Sequence, residues 1–179
     1  MKLNSTYKHF LSLFILIVIA FFVKGYFLSE AGIGTDESFS LYTAQASVYQ
    51  IITTLNMGDN PPLWEVVLHF WINLWGTDLV MARVLSLLFS VLTIIPLYFI
   101  GEKFIHNHAG IVGSLLYTCS SFGVFIAHEA RVYSFIGLLV CTSTLLFLYI
   151  LKYPKKNYLY VLLSLVNVLI FYGHYLGVW

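Results

Sequence analysis

The sequence predicts an all-α fold, a polytopic transmembrane helical bundle of about five spans with interfacial helices in a long first outer loop. Of the 179 residues, 60% are hydrophobic and only 9% are charged, whereas a soluble domain carries about 25% charged residues. Aromatic residues reach 18%, as in proteins whose Tyr and Trp rings lie at the level of the lipid headgroups. The net charge of +1 gives no reason to expect a nucleic-acid partner.

Five apolar stretches approach or exceed the roughly 20 residues that a helix needs to cross a bilayer. They cover residues 10–27, 79–101, 109–127, 132–151 and 158–175. We predict helices because lipid offers no partner to unpaired backbone groups, and nothing in the chain alternates like the strands of a barrel. Lys2 and Lys8 precede the first stretch as in a signal peptide, but no small-residue cleavage site follows closely. We therefore predict an uncleaved anchor.

The charged residues predict the orientation. With the amino terminus inside, the cytoplasmic side receives six lysines, namely Lys2, Lys8, Lys103, Lys152, Lys155 and Lys156, as the positive-inside rule requires. The outer side then receives every acid but Glu102, namely Glu30, Asp36, Glu37, Asp59, Glu65, Asp78 and Glu129. Acids contribute little to orientation, so we interpret their segregation as a sign of chemistry on the outer face.

The outer loop, residues 29–78, is too apolar for a solvated connection. Apolar side chains recur at three- and four-residue steps from Glu37 to Leu55, which predicts one amphipathic helix lying in the membrane interface. In residues 62–76, Glu65, His69 and Asn73 fall on one stripe of a helix. If this stretch crossed the membrane, the later lysines would move outside, so we favour an interfacial or re-entrant helix.

Two acidic motifs of this loop are candidates for chemistry. Asp36 and Glu37 suit the first turn of a helix with Thr35 as its N-cap, and equally suit a general base near the bilayer surface. The two interpretations are compatible. Asp59, before Asn60 and two prolines, either caps the next helix or helps to hold a divalent cation.

The cluster His128-Glu129-Ala130-Arg131-Val132-Tyr133 lies in a short connection between two predicted spans. Charges at membrane depth usually mark function or an internal pair. Glu129 and Arg131 either neutralise each other, or Arg131 presents its planar fork of donors to a lipid-linked phosphate. Considered alone, Arg83 is interpreted as a side chain that extends to the membrane interface. His174, considered alone, is interpreted as an interfacial residue that forms a hydrogen bond.

In this order the residues resemble a known family. The segments that carry the resemblance are Asp36-Glu37, Asn60-Pro-Pro-Leu63, Leu74-Trp-Gly76 with Ala82-Arg83, Ala130-Arg-Val-Tyr133 and Tyr172-Gly-His-Tyr175. From about Gly34 to its end, the chain looks like the GT-C type membrane glycosyltransferases. It is most similar to the dolichyl-phosphate-mannose protein mannosyltransferase group, whose bacterial relatives include the aminoarabinose transferase of lipid A.

The resemblance implies roles for these residues. Asp36 corresponds to the expected catalytic base, with Glu37 beside it, and Arg131 to the arginine that faces the lipid phosphate. Arg83 matches another commonly positive position and is a candidate to help Arg131 stabilise the departing phosphate. Asn60, a further candidate for substrate binding, stands where many relatives have His. Asp59 corresponds to an acid that some relatives use for a metal, so a divalent cation is a candidate cofactor. The remaining candidates for substrate binding are His128, Glu129, Tyr133 and His174.

The implied function is transfer of a sugar, with inversion, from a polyprenyl-phosphate donor to a hydroxyl of a protein, lipid or glycan acceptor. We expect an integral protein of the bacterial inner (plasma) membrane, surrounded by membrane lipid, with its active site facing the periplasm or exterior. Members of the family are longer, so we expect residues 1–179 to form the amino-terminal part of the transmembrane domain. The alternative is a non-catalytic membrane subunit or a transport module, which would place its charges near the bilayer midplane.

Overall fold

The structure, a computed structural model, describes residues 5–30, 32–55, 60–106 and 108–175. Every regular element within these residues is a helix, which confirms the all-α fold class. The helices are α1 Ser5–Gly25, α2 Thr35–Ala44, α3 Val48–Leu55, α4 Leu63–Trp75, α5 Leu79–Leu92, α6 Ile94–Ile100 with a wider π-helical turn at Gly101–Ile105, α7 Ala109–Cys119, α8 Ser121–Ala127, α9 Tyr133–Lys152 and α10 Asn157–Gly173.

Three of the described helical stretches are long and apolar enough to cross a membrane on their own: Tyr7–Gly25, Leu79–Ile105 and Tyr133–Lys152. The pair α7 and α8 meets the same standard together, but it is bent by 64°. Helix α10 has 17 residues and falls just short. Length and composition therefore support a helical membrane bundle with three spans, or four if the bent pair counts as one. The fifth predicted span, 158–175, stays a prediction.

The bend between α7 and α8 lies in the middle of the predicted span 109–127. The Ser120 hydroxyl accepts a hydrogen bond from the Gly123 N–H at 2.9 Å and so caps the start of α8. Lys24, which is fully buried at the end of α1, donates to the Gly123 carbonyl oxygen at 2.8 Å. A side chain of α1 thus contacts the backbone of the bent segment directly.

The prediction of one amphipathic helix from Glu37 to Leu55 is wrong. The structure has two helices, α2 and α3, separated at Gln45–Ser47. The Gln50 side-chain oxygen accepts hydrogen bonds from both the backbone N–H and the hydroxyl of Ser47, at 3.1 and 2.9 Å, and this local network starts a new helix. The predicted N-cap is also shifted by one residue, because Gly34 and not Thr35 caps α2.

Helix α4 has 13 residues, fewer than a membrane span requires, and its polar stripe faces α2. Glu65 accepts a hydrogen bond from the Ser40 hydroxyl at 3.1 Å. His69 Nδ1 lies 2.8 Å from the carbonyl oxygen of Ala44, and Asn73 contacts His69 at 3.0 Å. The stripe that the sequence displays is therefore the contact between the two loop helices.

Two apolar clusters hold these helices on the bundle, and α5 contributes to both. One cluster joins α2, α4, α5, α9 and α10 around Trp64, Leu68, Leu85 and Phe135. The other joins α1, α5, α6 and α8 around Ala20, Leu87, Ile94 and Tyr98. Because α5 belongs to both clusters, its first residues are fixed beside α2, the end of α1 and the α8–α9 connection. This end of the bundle gathers most of the candidate residues.

Candidate active site

Glu37 and Arg83 form a buried ion pair at this end of the bundle. Arg83 Nε donates to Glu37 Oε1 at 2.9 Å, and Arg83 Nη2 donates to Glu37 Oε2 at 2.7 Å. The two side chains are 1% and 3% exposed. Such a two-point fork fixes direction as well as distance, so the pair ties the first turn of α2 to α5.

Backbone groups complete the surroundings of Glu37. The N–H of Ala130 donates to Oε1 at 2.8 Å and that of Gly34 donates to Oε2 at 3.1 Å. Burial alone would raise the pKa of Glu37, but the hydrogen bonds from Arg83, Ala130 and Gly34 outweigh it and lower the pKa below its ordinary value. Glu37 is therefore a charged anchor between three segments, with little freedom to exchange a proton.

Arg83 differs from both expectations for it. It is 1% exposed, so its side chain does not reach the interface. Besides Glu37, its guanidinium donates to the carbonyl oxygens of Leu28 and Gly32 at 3.1 and 2.9 Å, which fixes the connection between α1 and α2. With its donors directed at these groups, Arg83 faces protein and does not present a fork to a lipid phosphate.

Asp36 and Arg131 lie close together beside this anchor. Arg131 Nη2 is 3.7 Å from Asp36 Oδ2, and the Asp36 side chain is 72% exposed whereas that of Arg131 is 10% exposed. Arg131 Nη1 also contacts the Asp36 carbonyl oxygen at 3.3 Å. Its ion pair is thus with Asp36, while the charge of Arg131 also acts on Glu129. An exposed carboxylate and a largely buried guanidinium meet where the bundle ends.

Arg131 is held from its other side by the loop helices. Its Nη1 donates to the Ser40 hydroxyl at 2.9 Å, and that hydroxyl donates to Glu65 Oε1 at 3.1 Å. Glu65 is 3% exposed, and burial raises its pKa, although Ser40 and the charge of Arg131 act in the opposite direction. A continuous, buried chain of hydrogen bonds therefore links Arg131 to Ser40 and Ser40 to Glu65.

Asn60 lies beside this chain, where it lines a polar cavity of about 10 Å³ together with Trp64, Glu65 and Arg131. Asp59 lies outside the described residues. Within the ranges that the structure describes, no three His, Cys, Asp or Glu side chains converge as a ligand set. The divalent cation expected at Asp59 therefore stays a prediction, and we derive no step through it.

His128 and Glu129 occupy the turn between α8 and α9. His128 Nε2 lies 2.6 Å from the carbonyl oxygen of Lys24, so the imidazole joins this turn to α1. Glu129 is half-buried. Its pKa is raised by burial first and then by the negative charges of Glu37 and Asp36, which outweigh the opposite effect of Arg131 and Arg83. His128 thus has a structural contact, whereas Glu129 adds a third carboxylate to the surroundings of Arg131.

Tyr133 and His174 line a much larger cavity, of about 620 Å³, whose other walls are mostly apolar. It lies among α6, α7, α8 and α9, with Thr93, Tyr117, Ile136 and Cys141 among its lining residues. The Arg131 guanidinium carbon is 5.9 Å from the centre of the Tyr133 ring. Tyr133 thus lines the apolar cavity and also lies beside Arg131, a member of the charged pair at the end of the bundle.

Sequence reasoning missed Ser40 and Glu65 as members of this site. The stripe of Glu65, His69 and Asn73 marked a polar face of α4, but its partner on α2 was not identified. A serine gives no sequence signal of its own, since its role depends on which helix packs above it. Only the packing of α2 on α4 reveals that Ser40 links Glu65 to Arg131.

A comparison with protein families decides the classification. Residues 59–173 match the model of the dolichyl-phosphate-mannose-protein mannosyltransferase family, which is more than half of the chain. The chain belongs to this family. Neither a curated protein nor a solved structure matches the chain significantly.

Membership in the mannosyltransferase family confirms the resemblance read from the motifs, although the matched segment is shorter than expected. It begins at Asp59 and ends at Gly173, and so includes Asn60, Arg83 and Arg131. Asp36 and Glu37 lie before it, and their roles rest on the residues and the geometry. The family, the apolar helices and the helical bundle together identify an integral membrane protein of the glycosyltransferase class.

Proposed function

We propose that this chain carries the base and the phosphate-binding arginine of a glycosyltransferase that uses a polyprenyl-phosphate sugar. The observation that carries the proposal is the pair of Asp36, exposed at the end of the bundle, and Arg131, which lies 3.7 Å away and next to an apolar cavity. In an inverting displacement the acceptor oxygen and the departing phosphate lie on opposite faces of the anomeric carbon, so the donor sugar must enter between Asp36 and Arg131 and displace their long, exposed contact.

The reaction is a single displacement. The acceptor oxygen attacks the anomeric carbon while its proton passes to the Asp36 carboxylate. The bond between the anomeric carbon and the phosphate oxygen breaks, and polyprenyl phosphate leaves with the electron pair. One displacement at the anomeric carbon inverts its configuration. Arg131 stabilises the negative charge that grows on the phosphate.

Arg131 has a donor nitrogen with which it can bind the donor phosphate. Ser40 and the Asp36 backbone engage Nη1, whereas Nη2 has, among the described residues, only the ion pair with Asp36 at 3.7 Å. A phosphate oxygen can compete for Nη2 without breaking the contacts that hold the side chain. Arg83 has its donors directed at Glu37 and the α1–α2 connection, so we assign phosphate binding to Arg131 alone.

The large cavity suits the lipid part of the donor. Ligand sites of 300–1,000 Å³ are mostly apolar with a few polar groups, and this cavity of about 620 Å³ fits that description. An isoprenoid tail in it would bring the phosphate towards Tyr133 and Arg131, and the membrane would confine the reacting carbon to their plane. The proposed acceptors are hydroxyl groups of a protein, lipid or glycan on the outer face of the bacterial inner membrane.

The test is Asp36→Asn in membranes that contain the full-length protein, with labelled mannose on polyprenyl phosphate as the donor. Loss of a general base reduces the rate by about 10²- to 10⁴-fold. Glu30→Gln is the matched control, since Glu30 is an exposed acid six positions earlier in the same segment, and it should transfer at the wild-type rate. Wild-type transfer by Asp36→Asn would show that the base is another residue. Failure of the wild type to bind the donor would favour a non-catalytic subunit or transport module.

A further inference from the structure

The orientation of Arg131 depends on a residue that does not touch it. Glu65 lies on α4, is 3% exposed, and connects to Arg131 through the Ser40 hydroxyl, with successive distances of 3.1 and 2.9 Å. A hydroxyl has a single hydrogen, so Ser40 can present a lone pair to Arg131 only while its own hydrogen points elsewhere. Glu65 is the acceptor that fixes that hydrogen.

Arg131 has few other restraints. Its Nε is buried and has no hydrogen-bond partner in the described part of the chain. Its ion pair with Asp36 is 3.7 Å long and involves a carboxylate that is 72% exposed, and exposed pairs of this kind hold a side chain weakly. Arg131 Nη1 also donates to the Asp36 carbonyl oxygen at 3.3 Å. The buried contact with Ser40, at 2.9 Å, is shorter and is therefore the main restraint on the guanidinium plane.

The surroundings of Glu65 support a role beyond packing. The polar cavity of about 10 Å³ between Glu65 and Arg131 is also lined by Trp64, whose buried Nε1 has no partner among the described residues. A cavity of this size holds about one water-sized group. The chain thus keeps a carboxyl and two unsatisfied donors together in its interior, an expensive arrangement that packing alone does not require.

We propose that Glu65 is a positioning residue that acts through Ser40 to hold the Arg131 guanidinium in the orientation that binds the donor phosphate. This inference rests on the proposed function. It extends the site from the exposed edge of α2 into the interface between α2 and α4. The required property of Glu65 is an acceptor oxygen at Oε1, which glutamine also provides and methionine, of similar length, does not.

The experiment measures binding of undecaprenyl phosphate and of the neutral undecaprenol to the purified full-length protein in detergent. Glu65→Met and Ser40→Ala should bind the phosphate roughly tenfold more weakly. Ser40→Ala removes the hydrogen bond to Arg131 together with the one to Glu65, and Glu65→Met removes the acceptor that orients the Ser40 hydroxyl. Their binding of undecaprenol should not change. Glu65→Gln should bind both lipids as the wild type does, which is rescue by the variant that keeps the acceptor.

The outcomes separate this inference from the proposed function. If the wild type binds the phosphate no better than the alcohol, phosphate recognition and this inference both fail. If the wild type prefers the phosphate and Ser40→Ala and Glu65→Met keep that preference, only the inference fails. Weaker binding of both lipids in these variants would indicate a purely structural role and would also overturn it. Should Glu65→Met not fold, Ser40→Ala decides, because it removes one oxygen atom and leaves the carboxyl in place.

Discussion

Arg83 and Arg131 lie at the same end of the bundle, yet their surroundings assign them different roles. Arg83 is 1% exposed and forms a two-point contact with Glu37, which is also buried. Arg131 contacts an exposed acid and keeps donors available. Both arginines have the same sequence signal, a cation near the end of an apolar stretch, so only the identity of their partners distinguishes the anchor from the ligand-binding residue.

Removal of Arg83 should chiefly destabilise the fold. Arg83→Met leaves the Glu37 carboxylate buried without its cation, and breaking a buried pair in this way costs about 3–5 kcal/mol. We expect a large drop in the melting temperature of the detergent-purified protein. Arg131→Met should melt close to the wild type and instead lose affinity for undecaprenyl phosphate.

The control for this prediction is the double variant Arg83→Met, Glu37→Gln. It removes both charges, so it should recover part of the stability lost in Arg83→Met, because no unpaired charge remains buried. Strictly additive losses in the double variant would mean that the two residues do not act as a pair.

The Glu37 anchor also predicts a pH dependence of stability. Hydrogen bonds from Arg83 and the backbone hold the pKa of Glu37 below its ordinary value of 4.5. The contribution of the pair is therefore fully present above pH 4.5 and is lost as the pH falls through the folded-state pKa. The melting-temperature difference between wild type and Glu37→Gln should be large at pH 7 and shrink in acid. A difference that stays constant over that range would contradict a charged Glu37.

At the scale of elements, two glycines let the helices cross closely at the opposite end of the bundle. A Cβ on Gly101 would collide with the backbone of Gly110, and a Cβ on Gly110 would collide with the Tyr98 carbonyl oxygen and approach Glu102 Cγ to 2.7 Å. The turn at Gly101–Ile105 and the start of α7 are thus in backbone contact. This contact brings α7 back beside α6 after a short connection.

Gly110→Ala should therefore destabilise the bundle by about 1–3 kcal/mol, the usual cost of adding volume to a packed contact. Gly113→Ala is the matched control on the same helix, since a Cβ there meets nothing within 4 Å. Thermal unfolding of both variants tests the prediction. Equal melting temperatures for the two would show that α6 and α7 are farther apart than described.

Hydropathy predicted where the helices lie but not where they break or bend. Apolar length identified the helices of the bundle, because the cost of exposing backbone in lipid depends on composition over many residues. It could not reveal the break at Gln45–Ser47 or the 64° bend after Cys119. Both breaks depend on single side chains, Gln50 and Ser120, that satisfy backbone groups, and the second also depends on Lys24 from a distant helix.

At the scale of the whole molecule, the charged groups are divided between the two ends of the bundle. One end has Asp36, Glu37, Arg83, Glu129 and Arg131. The other has His9 near Glu102, at 3.8 Å, and Lys152 in the last turn of α9. The sequence predicted this division from the order of spans and loops. It could not predict which side chains pair within each end, because that depends on how the helices rotate and pack.

Asp36 and Arg131 are proposed to work on the outer side of the membrane, and cysteine labelling of intact cells tests this position most directly. Ser38→Cys places a thiol at an exposed position two residues from Asp36, and Lys155→Cys places one at an exposed position at the opposite end. Both variants need a background in which Cys119 and Cys141 are replaced by alanine. We predict that an impermeant maleimide labels Ser38→Cys in intact spheroplasts and labels Lys155→Cys only after the membrane is opened. The reverse pattern would contradict the account.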